Sequence, residues 1–311
     1  MDDPVIILHA DWGTDPRKRW IATARSAGDG WAIDSIAPWG REGTPLERLG
    51  LRDDEPGPIL IGLDFPIGLP RAYAERAGIT SFCDALLAFG GPGWEAFYEV
   101  ARSPGEISLT RPFYPHRPGG TRRQHLADGL GIPLDALWRD CERATPTRPA
   151  ACPLFWTLGA NQAGKGAIAG WRELVTPLVR DGAALWPFDG DLADLLATRH
   201  ITVAETYPAQ YYAALGFGRG WSKRRQADRR DHAVAIEVGA AALGAELGAS
   251  VRSAVRDGFG PTSGGEDTFD ALVGLLGMLG VAAGRDAAAP RVSTVEGWIL
   301  GLSNDRDWRR V

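Results

Sequence analysis

The chain has 311 residues, of which 34 are basic and 39 acidic, so its formal net charge at pH 7 is -5. Its composition is 44% hydrophobic and 23% charged, which is typical of a globular protein and argues against disorder of the whole chain. The negative balance excludes a global field that would draw the protein onto nucleic acid, so a nucleic-acid partner must be held by local basic patches.

The cysteine spacing and the chain's N-terminal residues limit its class further. Cys83, Cys141 and Cys152 lie far apart and form no C-x-x-C pair, which excludes a disulfide scaffold and a zinc ribbon. The N-terminal residues contain no basic region, so we expect no signal peptide. The longest apolar run, 271–284, is shorter than the ~17–25 residues of a membrane-spanning helix. We therefore expect a cytoplasmic protein with no membrane partner.

The first predicted elements are strands. Alternating or continuous apolar patterns predict strands at Val5–Ala10, Arg19–Arg25 and Trp31–Ile36, and Gly28-Asp29-Gly30 is typical of a hairpin turn. These three strands are predicted to form an antiparallel meander. The apolar run Ile59–Leu63 predicts a fourth strand that is covered on both faces.

The rest of the chain is predicted to alternate helices, irregular segments and two further strands. The predicted shorter helices are Pro45–Leu51, Ser81–Phe89, Trp94–Val100, Leu134–Arg143, Gly166–Val179 and Leu192–Thr198. Strands at Ala184–Phe188 and Ile201–Glu205 flank the last of these, a βαβ pattern that implies a parallel pair. Two long helices, Lys223–Leu247 and Glu266–Val281, follow. We predict one α/β domain, residues 1–311, with a large helical and loop insertion at about 70–198.

Acidic residues stand at the ends of three predicted strands and at the start of the last helix. Asp11 and Asp64 follow the first and fourth strands, and Glu205 closes the strand ITVAE. Asp267 and Asp270 lie three residues apart and therefore share one helix face. The carboxyl ends of neighbouring strands form the rim at which α/β sheets bind ligands. We predict that these five acids are catalytic residues.

The same acids are typical of a divalent-metal site. Mg²⁺ and Mn²⁺ prefer hard oxygen ligands, and clustered carboxylates repel one another without a cation. We predict that Asp11, Asp64 and Asp270 bind Mg²⁺ or Mn²⁺, because two such ions ~3.5–4 Å apart can clamp the reacting oxygens of a phosphodiester. Each acid also has a structural alternative. A strand-end Asp can cap a turn, Asp267 fits the acidic first turn of any helix, and Glu205 can pair with an arginine.

The order of these motifs resembles a known family. A meander whose first strand ends in Asp, a fourth strand followed by an acid and a late D-x-x-D-A helix resemble the ribonuclease H-like fold. The chain also contains, in this order, the motifs DWG at 11–13, GLDFPIGLP at 62–70, AETYPAQ at 204–210, EDTFDAL at 266–272 and EGWIL at 296–300. With these motifs it is similar to the family called domain of unknown function 429, which is described as a predicted nuclease with that fold.

The resemblance implies a mixed sheet, made of the meander and added parallel strands, with flanking helices. It also implies hydrolysis of phosphodiester bonds. Residue by residue, it places Asp11, Asp64, Asp267 and Asp270 on the acids of ribonuclease H-like nucleases and resolvases.

Two basic segments are candidate substrate-binding elements. The loop 110–125 has no acid and interleaves Phe113 and Tyr114 with basic residues, which suits a phosphate-tracking groove with a base-stacking platform. A solvated loop explains its composition equally well. The segment 219–231 is also basic and either faces phosphate or forms a solvated helix start. The predicted substrate-binding residues of the two segments are Arg111, Arg117, Arg122, Arg123, Lys223, Arg224 and Arg225.

A glycine-rich turn, GANQAGKG at 159–166, adds one more candidate. It lacks the hydroxyl residue that a P-loop places on Mg²⁺. Its turn and Lys165 are nevertheless suited to hold a phosphate at a helix start, and the alternative is a plain beginning of a helix.

Three functions are compatible with these patterns. The first is a metal-dependent nuclease acting on DNA or RNA. The second is a nucleotide-binding phosphotransferase or ATPase of the actin-like class, because Asp11-Trp12-Gly13-Thr14 resembles a phosphate-holding hairpin. The second copy of the core that this class needs is not evident in the sequence. The third is a non-catalytic module that binds nucleic acid or protein through its arginine-rich loop.

Overall fold

Four of the predicted strands lie side by side in the middle of one sheet. The computed structural model describes residues 5–144, 150–159, 163–218, 220–284 and 293–302. β1 (Ile6–Asp11), β2 (Trp20–Ala27) and β3 (Gly30–Pro38) pair antiparallel, which confirms the predicted meander. β4 (Ile59–Leu63) pairs with β1 in parallel. β1 and β4 are buried along their whole length, which confirms that the fourth strand is covered on both faces.

Three further strands extend the sheet on both sides. β6 (Ile201–Glu205) pairs in parallel with β4, and β5 (Ala184–Leu185) pairs in parallel with β6. β7 (Ala245–Leu247) pairs in parallel with β3. The resulting seven-stranded mixed sheet has the order β5-β6-β4-β1-β2-β3-β7.

Helices flank the sheet, and five of them lie between β4 and β5. They are α1 (Pro45–Arg48), α2 (Arg71–Ala77), α3 (Phe82–Ala88), α4 (Gln124–Leu130), α5 (Ala163–Gly170), α6 (Thr176–Arg180), α7 (Leu192–Thr198), α8 (Gln226–Asp231), α9 (Ala233–Ala242), α10 (Ala249–Asp257) and α11 (Gly264–Ala282). A π-helical turn, Trp171–Val175, joins α5 to α6. No helix in the described ranges has the length and apolar character that crossing a membrane requires.

Three helix predictions differ from the structure. Residues 94–100 form turns rather than a helix. The predicted helix Leu134–Arg143 is two short 3-10 turns, Leu134–Leu137 and Asp140–Glu142. The predicted helix Lys223–Leu247 is divided into α8 and α9 and ends in the strand β7, because Gly244 adopts a positive φ of 69° that ends the helix.

The chain divides into two compact units. The first unit consists of Met1–Asp64, Gly182–Pro290 and Ile299–Val311, and the second of Phe65–Asp181 and Arg291–Trp298. All seven strands belong to the first unit. The second unit contains α2 to α6, and its longer segment, Phe65–Asp181, overlaps most of the insertion predicted at about 70–198.

The longest helix, α11, packs across β1 and β2 in the first unit. Side chains alternate along a strand, so Ile7, His9 and Asp11 leave β1 on one face. The imidazole of His9 lies against Gly274 of α11, where an added Cβ would approach it to 2.3 Å. Asp11 therefore leaves the sheet on the face that α11 covers.

Candidate acidic site

Asp11 and Asp64 stand side by side at the carboxyl end of the central parallel pair. The register joins Ala10 to Leu63, so the next residue of each strand is an aspartate. The Asp64 amide donates to the carbonyl of Ala10 with an N···O distance of 3.1 Å, which continues the pairing by one step. Adjacent residues of parallel strands project to the same face, and the two carboxyl groups interact directly.

Asp270 reaches the same site from α11. Small residues follow it on the same side of the helix, and they let α11 approach the sheet closely. A Cβ added at Gly274 would meet His9, and one added at Gly277 would come within 2.2 Å of the Tyr211 ring. Asp270 is 2% exposed, and its charge acts on both Asp11 and Asp64. The structure therefore brings these three predicted acids together.

Both carboxylate oxygens of Asp270 accept hydrogen bonds from protein groups. The Tyr212 hydroxyl donates to Oδ1 over 2.6 Å. The ammonium Nζ of Lys223 donates to Oδ2 in a close ion pair. Lys223 also lies 3.6 Å from Oε1 of Glu266, one turn earlier on α11. Lys223 was predicted to face phosphate, and here it is a counter-ion inside the acidic site.

The segment that carries Lys223 is fixed by a buried arginine. Arg229 is 1% exposed, and its Nη1 donates to the carbonyl of Lys223. Its Nε and Nη2 donate to the carbonyls of Gly258 and Gly260 over 2.8 Å and 2.7 Å. One guanidinium thus ties the Lys223 backbone to the loop that precedes α11.

An aromatic cluster holds Tyr212 in place. Its ring packs edge-on against Trp221 with a centroid distance of 4.8 Å, and Phe217 packs on the same Trp221 at 5.1 Å. Phe269, the neighbour of Asp270 on α11, contacts all three rings. The hydroxyl of Tyr212 therefore has a fixed direction toward Asp270.

The electrostatics of the site oppose ionisation of the aspartates. Burial, with the charges of Asp270 and Asp64, raises the pKa of Asp11 well above its ordinary value. Burial and Asp270 raise the pKa of Asp64 to about 7, against the effect of Lys223. Burial also raises the pKa of Asp270, and Lys223 and Tyr212 oppose that rise. Burial disfavours the charged form of Lys223, but Asp270, Asp11 and Asp64 outweigh it and raise the pKa of its ammonium.

Asp267 lies at the edge of this group. Burial is the main cause that raises the pKa of Asp267 to about 6, with Lys18 opposing the rise. Its Oδ2 is buried and has no hydrogen-bond partner among the described residues. Asp267 therefore carries an unsatisfied acceptor one turn from Asp270.

Glu205 differs from the other four predicted acids. It pairs in register with Leu63, so its side chain leaves the sheet on the face opposite to that of Asp64. Glu205 is 4% exposed, and its backbone carbonyl accepts from the amide of Leu300 over 2.8 Å. Its charge acts on Asp64 but is not among the main influences on Asp11 or Asp270. The structure thus places Glu205 at the same sheet end but not within the same group.

The two other predicted basic residues of this segment are at the surface of the first unit. Arg224 lies 4.0 Å from Glu266 and its side chain is 69% exposed. Arg225 pairs with Asp228 at 2.6 Å and donates to the carbonyl of Gly220. Arg219, which belongs to the same basic segment, lies outside the described residues.

The arginine-rich loop belongs to the second unit and is less accessible than predicted. Arg111 pairs with Glu99 and with Glu106, the latter at 3.4 Å. Phe113 is 0% exposed and Tyr114 is 2% exposed. The prediction of a base-stacking platform is therefore wrong for these two rings, because they form part of the core.

The remaining members of that loop are at the surface. Arg117, Arg122 and Arg123 are exposed. The Arg123 guanidinium lies 5.7 Å from the Trp156 ring centroid. Lys165 lies in the first turn of α5, and residues 160–162 of the glycine-rich turn lie outside the described residues.

Tyr212 was not predicted as part of the site, and Lys223 was predicted in a different role. Tyr212 stands in a turn after β6, just beyond the motif AETYPAQ, and nothing in the sequence distinguishes its hydroxyl from that of Tyr207 or Tyr211. The sequence offered one indication that Lys223 has a specific role, since only three of the 34 basic residues are lysines. Two of those three, Lys18 and Lys223, act on the acids of α11.

No group of three or more His, Cys, Asp or Glu side chains in the described ranges is arranged to hold a metal ion as it stands. The comparisons give no further guide: no family model, no curated protein and no solved structure matches the chain.

Proposed function

We propose that the first unit is a metal-dependent nuclease of ribonuclease H-like type, related to the family called domain of unknown function 429. The observation that carries the proposal is the convergence of Asp11, Asp64 and Asp270 from β1, β4 and α11. The strand arrangement supports it, because the meander is extended by parallel strands on the side of β1, in the order β4, β6 and β5.

The donor set has the chemistry that a hard divalent cation requires. Asp11 and Asp64 offer carboxylate oxygens on one face, and burial together with Asp270 keeps their pKa values high, so a cation would relieve their repulsion. Asp11, Asp64 and Asp270 would hold Mg²⁺ or Mn²⁺. In the structure the ammonium of Lys223 forms an ion pair with Asp270, so the third of these carboxylates already has a positively charged partner.

A bound cation supplies Lewis-acid stabilisation of the charge that develops on a phosphodiester during hydrolysis. In that reaction water forms the new bond to phosphorus, and the leaving oxygen departs with a proton. The protein's share is positioning and charge: Tyr212 fixes the carboxylate of Asp270, and the Lys223 ammonium presents positive charge at the same point. Burial raises the pKa of Asp267 to about 6, so this carboxyl can take up or release a proton at mildly acidic pH.

The test is hydrolysis of labelled single-stranded DNA, duplex DNA and RNA by the full chain, with Mn²⁺ or Mg²⁺ and with EDTA. We expect cleavage that needs the cation, and a loss of at least ~100-fold in Asp11→Asn and in Asp64→Asn. Asp34→Asn is the matched control, since Asp34 is an exposed aspartate on β3 of the same sheet. Full activity in Asp11→Asn, or equal activity in EDTA, overturns the proposal.

The two alternative functions have less support. The described residues form one sheet, and they contain no second copy of the meander that the actin-like class would need. A binding module that relies on its arginine-rich loop loses the stacking platform, because Phe113 and Tyr114 are buried.

A further inference from the structure

We propose that Lys223 is a built-in cation of the acidic site, so that the site takes one divalent cation, on Asp11 and Asp64, rather than two. The proposal rests on the proposed metal-dependent function. It changes the predicted set of metal ligands, because Asp270 then pairs with the lysine and does not bind a second ion.

The first argument is the occupancy of Asp270. Oδ1 accepts from the Tyr212 hydroxyl and Oδ2 from the Lys223 ammonium, and the residue is 2% exposed. Each oxygen keeps a second lone pair, but a divalent cation bound to Asp270 would lie close to the Lys223 ammonium and be repelled by it.

The second argument is that Lys223 is held in place. Arg229 donates to its backbone carbonyl and, through the same guanidinium, to two carbonyls of the loop before α11. The ammonium also lies within 3.6 Å of Glu266. The backbone of Lys223 is therefore held by Arg229, and its ammonium is held by the carboxylates of Asp270 and Glu266.

The third argument is charge. When ionised, the carboxylates of Asp11, Asp64 and Asp270 carry three negative charges, and the ammonium of Lys223 offsets one of them. The two that remain match one divalent cation, so no second cation is needed to neutralise these three aspartates.

The fourth argument is the choice of side chain. The chain has 31 arginines and three lysines, yet a lysine stands at this position. An ammonium is a compact, strongly hydrated point charge, whereas a guanidinium is a planar fork. Lysine is thus the basic side chain that best replaces a spherical ion.

The experiment counts Mn²⁺ bound per chain, from the free Mn²⁺ signal in electron paramagnetic resonance up to millimolar Mn²⁺. We expect one ion in the wild type and two in Lys223→Met, because that variant frees Oδ2 of Asp270. Arg224→Met is the matched control: it removes the neighbouring positive charge, 4.0 Å from Glu266, and we expect it to bind one ion.

A double variant guards against loss of folding. Lys223→Met leaves a buried carboxylate without its partner, which destabilises the chain. Lys223→Met with Asp270→Asn removes both charges, and we expect it to fold and to bind one ion. Circular dichroism and a thermal melt confirm the folded state of each variant.

The outcomes separate this proposal from the nuclease proposal. Two ions in the wild type, or one in folded Lys223→Met, overturn the role of Lys223 and leave the nuclease proposal standing. One ion in the wild type and two in Lys223→Met, without any hydrolysis of nucleic acid, support the role of Lys223 and overturn the nuclease proposal. No Mn²⁺ bound by the wild type overturns both.

Discussion

At the scale of single residues, the acidic site works against folding at neutral pH. Asp64 has a pKa raised to about 7, above the ~3.9 of an aspartate in an unfolded chain. The folded state therefore binds a proton more tightly than the unfolded state. The stability from this difference is present below pH ~4 and is lost as the pH rises through about 7.

Asp64→Asn should consequently stabilise the protein at alkaline pH. The amide keeps the size of the side chain and removes its charge from the buried group. We expect the free energy of unfolding at pH 8 to rise by about 1–2 kcal/mol, and the gain to shrink as the pH falls to 5. Urea denaturation at both pH values measures it. Asp34→Asn serves as the exposed control, and an equal gain in that variant would contradict the explanation.

His9 has the opposite pH dependence. It is fully buried, burial lowers its pKa to about 3, and its Nδ1 lies 3.1 Å from the carbonyl of Ala271. A histidine in an unfolded chain has a pKa of ~6.5, so between pH 3 and pH ~6.5 the unfolded state binds the proton more tightly than the folded state. The stability is present above pH ~6.5 and is lost as the pH falls toward 3.

His9→Leu should therefore remove the part of the pH dependence of the unfolding free energy that comes from His9 below pH ~6.5. We expect the wild type to lose up to about 1.4 kcal/mol per pH unit below pH ~6 relative to this variant. The measurement is the difference between the two curves from pH 7 to 4, because the aspartates shift both curves in the other direction. Parallel curves would show that His9 does not titrate with unfolding.

The residues of the site were predictable to different degrees. Asp11, Asp64 and Asp270 could be found because strand ends and a helix face leave a local signature. The face of the sheet on which the Glu205 side chain lies depends on the register between β4 and β6, and a single sequence does not define that register. The partners Tyr212 and Lys223 depend on contacts between distant parts of the chain, 58 and 47 residues from Asp270.

At the scale of elements, the approach of α11 to the sheet decides whether the acids can meet. Asp270, Gly274 and Gly277 recur at spacings of four and three, and so lie on one side of the helix. At Gly274 the space that a side chain would need is filled by His9, and at Gly277 by Tyr211. The absence of Cβ atoms at these two points sets the depth at which α11 lies.

Gly274→Ala should therefore destabilise the protein, although alanine is the better helix former. The added Cβ would meet His9 at 2.3 Å, and we expect a loss of about 1–3 kcal/mol in chemical denaturation. Gly264→Ala in the first turn of the same helix is the control, since its nearest neighbour would be Thr262 Oγ1 at 3.7 Å. Adding His9→Ala should recover most of the loss, and a cost unchanged in that background would contradict the clash.

Elements were predicted best where one periodic pattern was strong. β4, β6 and α7 have the predicted boundaries because each is a short apolar or periodic run between clear breakers. β7 was missed because its three residues lie in an alanine-rich segment, and the predicted helix continues through Gly244, which ends α9. Residues 94–100 show the converse: their aromatic residues suit a helix, but Trp94 and Phe97 pack around Phe89 in a chain of turns.

At the scale of the whole molecule, the net charge of -5 makes any affinity for nucleic acid depend on a few exposed arginines. Arg117 and Arg122 are exposed, whereas Arg111 is engaged with two glutamates. Only exposed guanidinium groups can release counterions from a phosphate backbone.

Replacing both exposed arginines should therefore weaken binding of single-stranded DNA. We expect Arg117→Ala with Arg122→Ala to lower the affinity, and to reduce the slope of log K against log salt by about one for each lost phosphate contact. Arg41→Ala with Arg199→Ala changes the net charge equally at two other exposed positions. Fluorescence anisotropy at several salt concentrations compares the pairs, and equal effects would assign the binding to net charge alone.

The division of the first unit by the second has a consequence for synthesis of the chain. Asp64 leaves the ribosome about 200 residues before Asp270, and Asp11 about 260 residues before it, a delay of ~10–50 s at typical elongation rates. During that interval the nascent meander has neither β6 beside β4 nor α11 across β1 and β2. The strands β1 to β4 must remain soluble while the second unit is translated. We therefore expect these strands to be the part of the nascent chain that most needs a chaperone.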